Sequence, residues 1–252
     1  MSHTHELVFS ADSLVKRYAS WDRGEHRREW SVLDVLRDRA PGLAPEPLGV
    51  DLDATPPEVT MTRLPGVPLG GAVTGARLDG LEAALRALWA VPADGLPPRR
   101  FHPGEAWRVV GAGFAGATRP GGVAGEAFDG ARDLLSGPPP AEPDRPVLGH
   151  GDPNLANYLW DGARVRVVDW EDAGGSDVAW ELGTLVEHLS ARGTDWRGFP
   201  DRFDADPARL LAARRVMAAF WLLLLLPGGP AARRNPPGAR EAQAVRLLEL
   251  LG

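Results

Sequence analysis

Three side chains past the middle of the sequence have the types and spacing that phosphoryl transfer needs. In His150-Gly151-Asp152-Pro153-Asn154-Leu155-Ala156-Asn157 an aspartate is followed, after four intervening residues, by an asparagine, and Asp169-Trp170-Glu171 begins twelve residues later. A positioned carboxylate can accept the proton of an attacking hydroxyl. A second carboxylate and an amide oxygen are the hard donors that magnesium prefers when phosphates and waters complete its octahedral shell.

The elements around these residues make them converge. The stretches 157–160 and 164–168 are strand-like and flank Asp161-Gly162, a strong hairpin turn signal. Closing that hairpin sets Asn157 and Asp169 at its open end, with Asp152 on the preceding loop as the candidate base. Taken singly, Asp152 could cap a turn, Asn157 could satisfy a bend and Asp169 could be a strand-end acid. Together they point to a metal-assisted site. His150 is expected to brace the loop by hydrogen bonding. Asp177, just before a helix that starts at Val178, reads first as an N-cap worth about 1 kcal/mol.

Composition narrows the alternatives. The chain has 252 residues and no cysteine, which excludes disulfide frameworks, thiolate metal sites and cysteine nucleophiles. No apolar run follows Met1, so no signal peptide is expected, and the apolar block at 218–226 is too short for a membrane helix. A cytoplasmic protein without membrane or nucleic-acid partners follows, the net charge of −6 having the wrong sign for nucleic acid. Charge is unevenly spread: 152–206 holds 12 acids against 5 arginines, whereas 207–252 holds 2 acids against 7 arginines. The acidic part coincides with the candidate site and suits a metal ion and a cationic substrate, solvated acidic loops being the plainer reading. Lys16 is the only lysine among 28 basic residues. An ammonium is a compact point charge that a planar guanidinium cannot mimic at a phosphate.

Upstream of the site, 6–66 reads as a small α/β unit. Glu6–Phe9 and Leu14–Tyr18 form a hairpin that carries Lys16, a helix spans Glu25–Ala40 with Trp30, Leu33, Leu36 and Ala40 as its apolar stripe, and strands follow at 45–50 and 58–62. Leu64-Pro65-Gly66 is the expected hinge. Beyond it come helices at 77–91, 105–115, 124–136, 178–192 and 207–226 and one ending at Leu251, with a loop at 137–143.

The segments 150–162, 165–172 and 176–182 resemble the aminoglycoside phosphotransferase family, small-molecule kinases with a protein-kinase-like fold. The resemblance implies an α+β, bilobal architecture with a small β-rich N-lobe (1–64), truncated at its start, and a larger, mainly helical C-lobe (65–252). It implies ATP and magnesium. By that likeness Asp152 matches the catalytic aspartate, Asn157 and Asp169 the metal ligands, Lys16 the phosphate-contacting lysine and Glu29 its helix partner, with Glu25 one turn earlier as a competitor. The backbone of Met61, Thr62 and Leu64 corresponds to the hinge that receives adenine.

Two departures bear on activity. The first glycine is Gly24, so no glycine-rich loop precedes Lys16; the amides of 2–5 or of the 10–13 turn are the available substitutes. A nucleotide-binding pseudokinase with little turnover is the resulting alternative. The segment after Asp169 is short and lacks an A-P-E sequence, which favours a small-molecule hydroxyl acceptor over a protein. Acidic flanks with Trp180, Trp196 and Trp221 suit an aminoglycoside-like antibiotic, and hence antibiotic resistance, although such tryptophans are more often core. Gly111-Ala112-Gly113-Phe114-Ala115-Gly116 spells a dinucleotide fingerprint, the basis of a rival oxidoreductase reading, but lies in a helical region without the required strand. Oligomeric state is not legible.

Overall fold

The computed structural model describes residues 5–140 and 146–252. Residues 2–4 of the candidate phosphate cover and the end of the 137–143 loop lie outside the described residues. The described residues of Met1–Arg100, Arg145–Asp177 and Gly193–Asp195 form one compact unit, and those of Phe101–Asp144, Val178–Arg192 and Trp196–Gly252 a second.

In the first unit, β1 (Glu6–Phe9) and β2 (Ser13–Arg17) form a hairpin whose turn is closed by Ser10 N–H donating to Ser13 C=O at 2.8 Å. With β3 (Pro47–Asp51) and β4 (Glu58–Thr62) they make an antiparallel sheet of order β1-β2-β4-β3. Leu7, Lys16 and Val59 stand opposite one another, and Phe9, Leu14 and Met61 form the next row on the same face. One side of the sheet thus presents an ammonium beside an apolar row.

Helix α1 (Glu25–Arg39) packs on β3 and β4. Its buried face is Glu25, His26, Glu29, Val32, Leu33 and Leu36, whereas Trp30 is only half-buried. The apolar stripe expected from sequence is therefore rotated. Two acids and a histidine occupy inward positions that a hydrophobic count assigns to solvent.

The rest of this unit frames the loop 150–157. Strand β5 (Val67–Pro68), helix α2 (Ala76–Trp89) and the strands β6 (Val147–Gly149), β7 (Tyr158–Trp160), β8 (Val165–Val167) and β9 (Gly174–Ser176) form two small sheets, β5-β7-β8 and β6-β9, with α2 packed on β6, β7 and β8. The pairing of Gly149 with Gly174 ties the chain entering the loop to the chain leaving the Asp169 segment.

The second unit is helical: α3 (Pro103–Gly116), α4 (Gly122–Ser136), α5 (Val178–Glu187), α6 (Pro207–Leu225) and α7 (Ala239–Leu251). Phe114 and Phe128 meet edge-on at 5.1 Å between α3 and α4, and Trp180, Leu222 and Leu247 complete the core. The glycine fingerprint lies inside α3, where a Cβ on Gly113 would come 2.3 Å from Leu223, so that glycine serves packing. Helix α5 stops at Glu187, short of the expected 192, because His188 Nδ1 accepts the Ser190 N–H and turns the chain into a 3-10 segment. Trp180 is buried, with its indole N–H on the Phe101 carbonyl, and Trp196 packs edge-on to Phe199. Among the described residues no helix is long and apolar enough to cross a membrane.

The β7–β8 turn offers a test of local electrostatics. Asp161 Oδ1 accepts the N–H groups of Ala163 and Arg164, both at 2.9 Å, and Oδ2 accepts from Arg166 Nε at 3.1 Å. The two backbone donors, then Arg166, hold this carboxyl down to about 2. A depressed carboxyl stabilises the fold above its ordinary value of about 4 and loses that contribution as pH falls through the folded value. Asp161→Asn should therefore melt below wild type at neutral pH, with the gap closing between about pH 4 and 2. A gap constant across that range would show that the charge is not what matters.

Candidate active site

Lys16 is the centre of the site. Its ammonium, 5 % exposed, donates to Glu29 Oε2 at 2.7 Å and to Asp169 Oδ1 at 2.5 Å, and lies 2.7 Å from Glu171 Oε2. Burial alone would lower its pKa; the carboxylates of Glu29, Asp169 and Glu171 outweigh it and raise the value, so the group stays charged. Oxygens of those three acids fall within 4.8 Å of one another, as ligands of a metal would. The space between them is filled by Nζ, and the cluster is an ammonium socket.

Each acid comes from a different part of the unit. Glu29, fully buried on α1, also accepts from the Tyr18 hydroxyl and, through Oε1, from Trp170 N–H at 3.0 Å. Arg28, next to it, bonds the carbonyls of Pro98 and Ala173 at 3.1 and 2.9 Å and anchors the helix. Asp169 follows β8 with a φ of 72°, a left-handed conformation that is uncommon for a residue with a Cβ and tends to mark functional sites. Burial, with Glu29 and Glu171, pushes its carboxyl above the usual range against the pull of Lys16. Glu171 is held down to about 2 by His5 and Lys16 despite its burial.

The loop before β7 is fixed by polar contacts. The His150 ring is buried and lies edge-on to Trp170 at 4.7 Å, with Nδ1 2.7 Å from the Asp152 carbonyl oxygen and Nε2 2.9 Å from the Val168 carbonyl oxygen. Buried Arg99 donates to the Gly151 carbonyl at 2.6 Å. Gly151 has a φ of 90°, and a Cβ there would come 2.2 Å from the Asp172 carbonyl oxygen, so only glycine fits. Asp152 Oδ1 accepts Asn154 N–H at 3.1 Å, and Oδ2 accepts from Asn157 Nδ2 at 2.9 Å. Asn157 is held in turn by Val168 N–H donating to its carbonyl at 2.9 Å, next to Asp169.

The structure thus brings Lys16, Glu29 and Asp169 into contact and joins Asp152 to Asn157. Glu25 does not reach Lys16; its carboxylate bonds the backbone and guanidinium of Arg23. Of the hinge residues, Met61 and Thr62 end β4, Thr62 N–H goes to Glu46 C=O, and Leu64 N–H has no hydrogen-bond partner among the described residues. Asn157 Oδ1 and Asp169 Oδ2 are likewise without a protein donor among the described residues. Two oxygens of the hard type that magnesium prefers are therefore available, and the donor set fits that ion. Sequence reasoning assigned no role to Glu171, Tyr18 or the His5 side chain, having considered only the His5 backbone amide. For Tyr18 the available signal was its spacing of two from Lys16, which puts the two side chains on one side of an extended strand.

A sheet lysine paired to a helix glutamate, with a loop aspartate and a hairpin carrying asparagine and aspartate, defines a kinase-like phosphotransferase. The sequence pattern of the phosphotransferase enzyme family, APH, matches residues 12–221, and the chain belongs to that family. No curated protein matches. Among solved structures, a choline/ethanolamine kinase family protein from Mesorhizobium loti is 20% identical over 99% of this chain and 85% of its own, with a TM-score of 0.63. A thermostable mutant of aminoglycoside phosphotransferase APH(4)-Ia, solved as a ternary complex with AMP-PNP and hygromycin B, is 17% identical over 98% and 92%, with a TM-score of 0.62. Choline kinase LicA from Streptococcus pneumoniae is 14% identical over 100% and 90%, with a TM-score of 0.63. These likenesses establish the fold, a small antiparallel-sheet N-terminal part followed by a helical C-terminal part.

Removing the ammonium would leave buried Glu29 and part-buried Glu171 facing each other and the half-exposed Asp169. Lys16→Met should cost about 3–5 kcal/mol of unfolding free energy at neutral pH, read by urea titration. The deficit should narrow as pH falls and Asp169 and Glu171, no longer paired, take up protons. A loss under about 1 kcal/mol would mean the acids are solvated rather than held by Lys16.

Proposed function

We propose that this protein is an ATP- and magnesium-dependent phosphotransferase that moves the γ-phosphate of ATP to a hydroxyl of a small molecule. The observation that carries the reading is the Lys16 socket, in which a sheet lysine is held between Glu29 on α1 and Asp169 at the exit of the hairpin. With that orientation Lys16 contacts phosphate oxygens, and Glu29 keeps the ammonium extended from the sheet. The row of Phe9, Leu14 and Met61 on the same face supports an apolar seat for adenine, and Leu64 N–H is a free donor for its edge. Asn157 Oδ1 and Asp169 are the residues that would hold magnesium, which supplies charge neutralisation at the phosphate oxygens.

Asp152 is the base. It accepts the acceptor's hydroxyl proton as that oxygen bonds to the γ-phosphorus, while the bond from phosphorus to the ADP oxygen breaks and ADP leaves. Asn157 Nδ2 on Oδ2 and Asn154 N–H on Oδ1 keep the carboxylate aimed. Asp172 Oδ1 is buried without a hydrogen bond, 3.6 Å from Arg23 Nη1, and burial, with Glu171 and Asp152, raises its pKa against the pull of Arg23. Negative charge beside Asp152 favours a cationic acceptor, an aminoglycoside-like antibiotic being the leading class, and ATP use implies a cytoplasmic location. In this reading 1–64 is the nucleotide lobe and 65–252 carries the catalytic loop and acceptor helices.

Asp152→Asn should fold, bind ATP with magnesium and lose turnover by about 10²–10⁴-fold. The check is an ADP-release assay over a panel of aminoglycosides, amino alcohols and sugars, alongside thermal shifts with ATP, with and without magnesium. Wild-type turnover in the variant would overturn the assignment of the base. Nucleotide binding by wild type with no turnover on any acceptor, and no slow hydrolysis, would favour the pseudokinase.

A further inference from the structure

His5 has no role in the mechanism above, yet it is buried at the centre of the site with 7 % exposure. Its ring stands 4.8 Å from that of Tyr18, tilted by 51°. Nδ1 accepts the Ala19 N–H at 3.1 Å. A neutral imidazole with Nδ1 accepting carries its proton on Nε2. That nitrogen lies 2.7 Å from Glu171 Oε2, the same oxygen that approaches Lys16 Nζ. The approach is bent from the ideal hydrogen-bond direction, so the contact is chiefly electrostatic.

Glu171 Oε2 thus lies 2.7 Å from both a ring nitrogen and an ammonium. Glu29 is fixed by Tyr18 and Trp170 as well as by Lys16, whereas the contacts that hold Glu171 are His5 and Lys16. We propose that His5 is a positioning residue of the nucleotide site: its Nε2 proton pins Glu171, so that Glu171 and Glu29 hold the Lys16 ammonium in place when Asp169 turns to its other partner. This rests on the phosphotransferase reading of the site.

Two amide substitutions separate the two nitrogens of the ring. The Gln amide nitrogen reaches to about the position of Nε2 and keeps a donor toward Glu171; the Asn amide oxygen lies near Nδ1 and keeps the acceptor for Ala19. Lys16 is the only lysine, so ¹⁵N-lysine labelling of the full chain gives a single Nζ resonance that reports on the socket without turnover. His5→Gln should leave that resonance at its wild-type position and the nucleotide KM within about 2-fold, whereas His5→Asn should shift or broaden it and raise KM about 10-fold with a smaller change in kcat. The reverse order would make His5 an anchor for Ala19 and overturn the proposal, as would two variants that both match wild type. If both variants are impaired, the Glu171→Gln background decides. There His5→Asn should add no further change in the Nζ resonance or in melting temperature, and an additive loss would overturn the proposal. A wild-type protein that neither binds nor turns over nucleotide would sink the phosphotransferase reading, while the Nζ resonance would still decide whether His5 acts on Lys16.

Discussion

One buried ammonium facing three carboxylates constrains the rest of the first unit. Lys16 is bonded to Glu29, 13 residues away, and to Asp169, 153 residues away, with Glu171 also at 2.7 Å. A buried charge that loses its partner is costly, whereas a paired and hydrogen-bonded one is tolerated. The sheet, helix α1 and the β7–β8 hairpin must therefore all be in register before any of these groups is satisfied. The cluster is an expensive way to gain stability but a strict way to specify one arrangement. Supporting contacts follow the same logic: Tyr18 and Trp170 complete the bonding of Glu29, and Arg28 holds α1 to the carbonyls of Pro98 and Ala173.

The loop that carries Asp152 meets a different constraint. From His150 to Asn154 it has no regular ladder, so its polar groups need side-chain partners or solvent. Arg99 donates to the Gly151 carbonyl, the His150 ring contacts the Asp152 backbone, and Gly151 permits the close passage of Asp172. The carboxylate is therefore aimed by its surroundings and not by its own rotamer freedom. The pairing of β6 with β9 closes the same region from behind by joining Gly149 to Gly174.

These two constraints explain what the sequence could and could not reveal. The hairpin was legible because Asp161-Gly162 between alternating residues is a local signal, and its closure puts Asn157 beside Val168 without reference to the rest of the chain. The rotation of α1 was not legible, because Glu29 and His26 face inward for reasons supplied by Lys16 and Tyr18, far from the helix in sequence. The choice between Glu25 and Glu29 depended on that rotation. Arg99 gave no signal at all, since one arginine among 27 looks like surface until its partner carbonyl is seen. His5 and Glu171 were not reachable from strand alternation, because His5 precedes β1 and the left-handed turn at Asp169 redirects the chain before Glu171.

The charge balance of the socket also separates the roles of its three acids. Glu29 is fully buried with donors on both oxygens, and Glu171 is wedged against His5, so neither can move without abandoning a contact. Asp169 differs: its side chain is 42% exposed, one oxygen is on Lys16 and the other has no donor among the described residues. In the proposed reaction it is the one acid able to turn outward while the ammonium stays held. In that proposal, three acids against one lysine would repel a bare polyphosphate, which is the electrostatic argument for an accompanying divalent cation and for a cationic acceptor. On the proposed function, the negative charge that anchors Lys16 in the fold would also select what enters beside it.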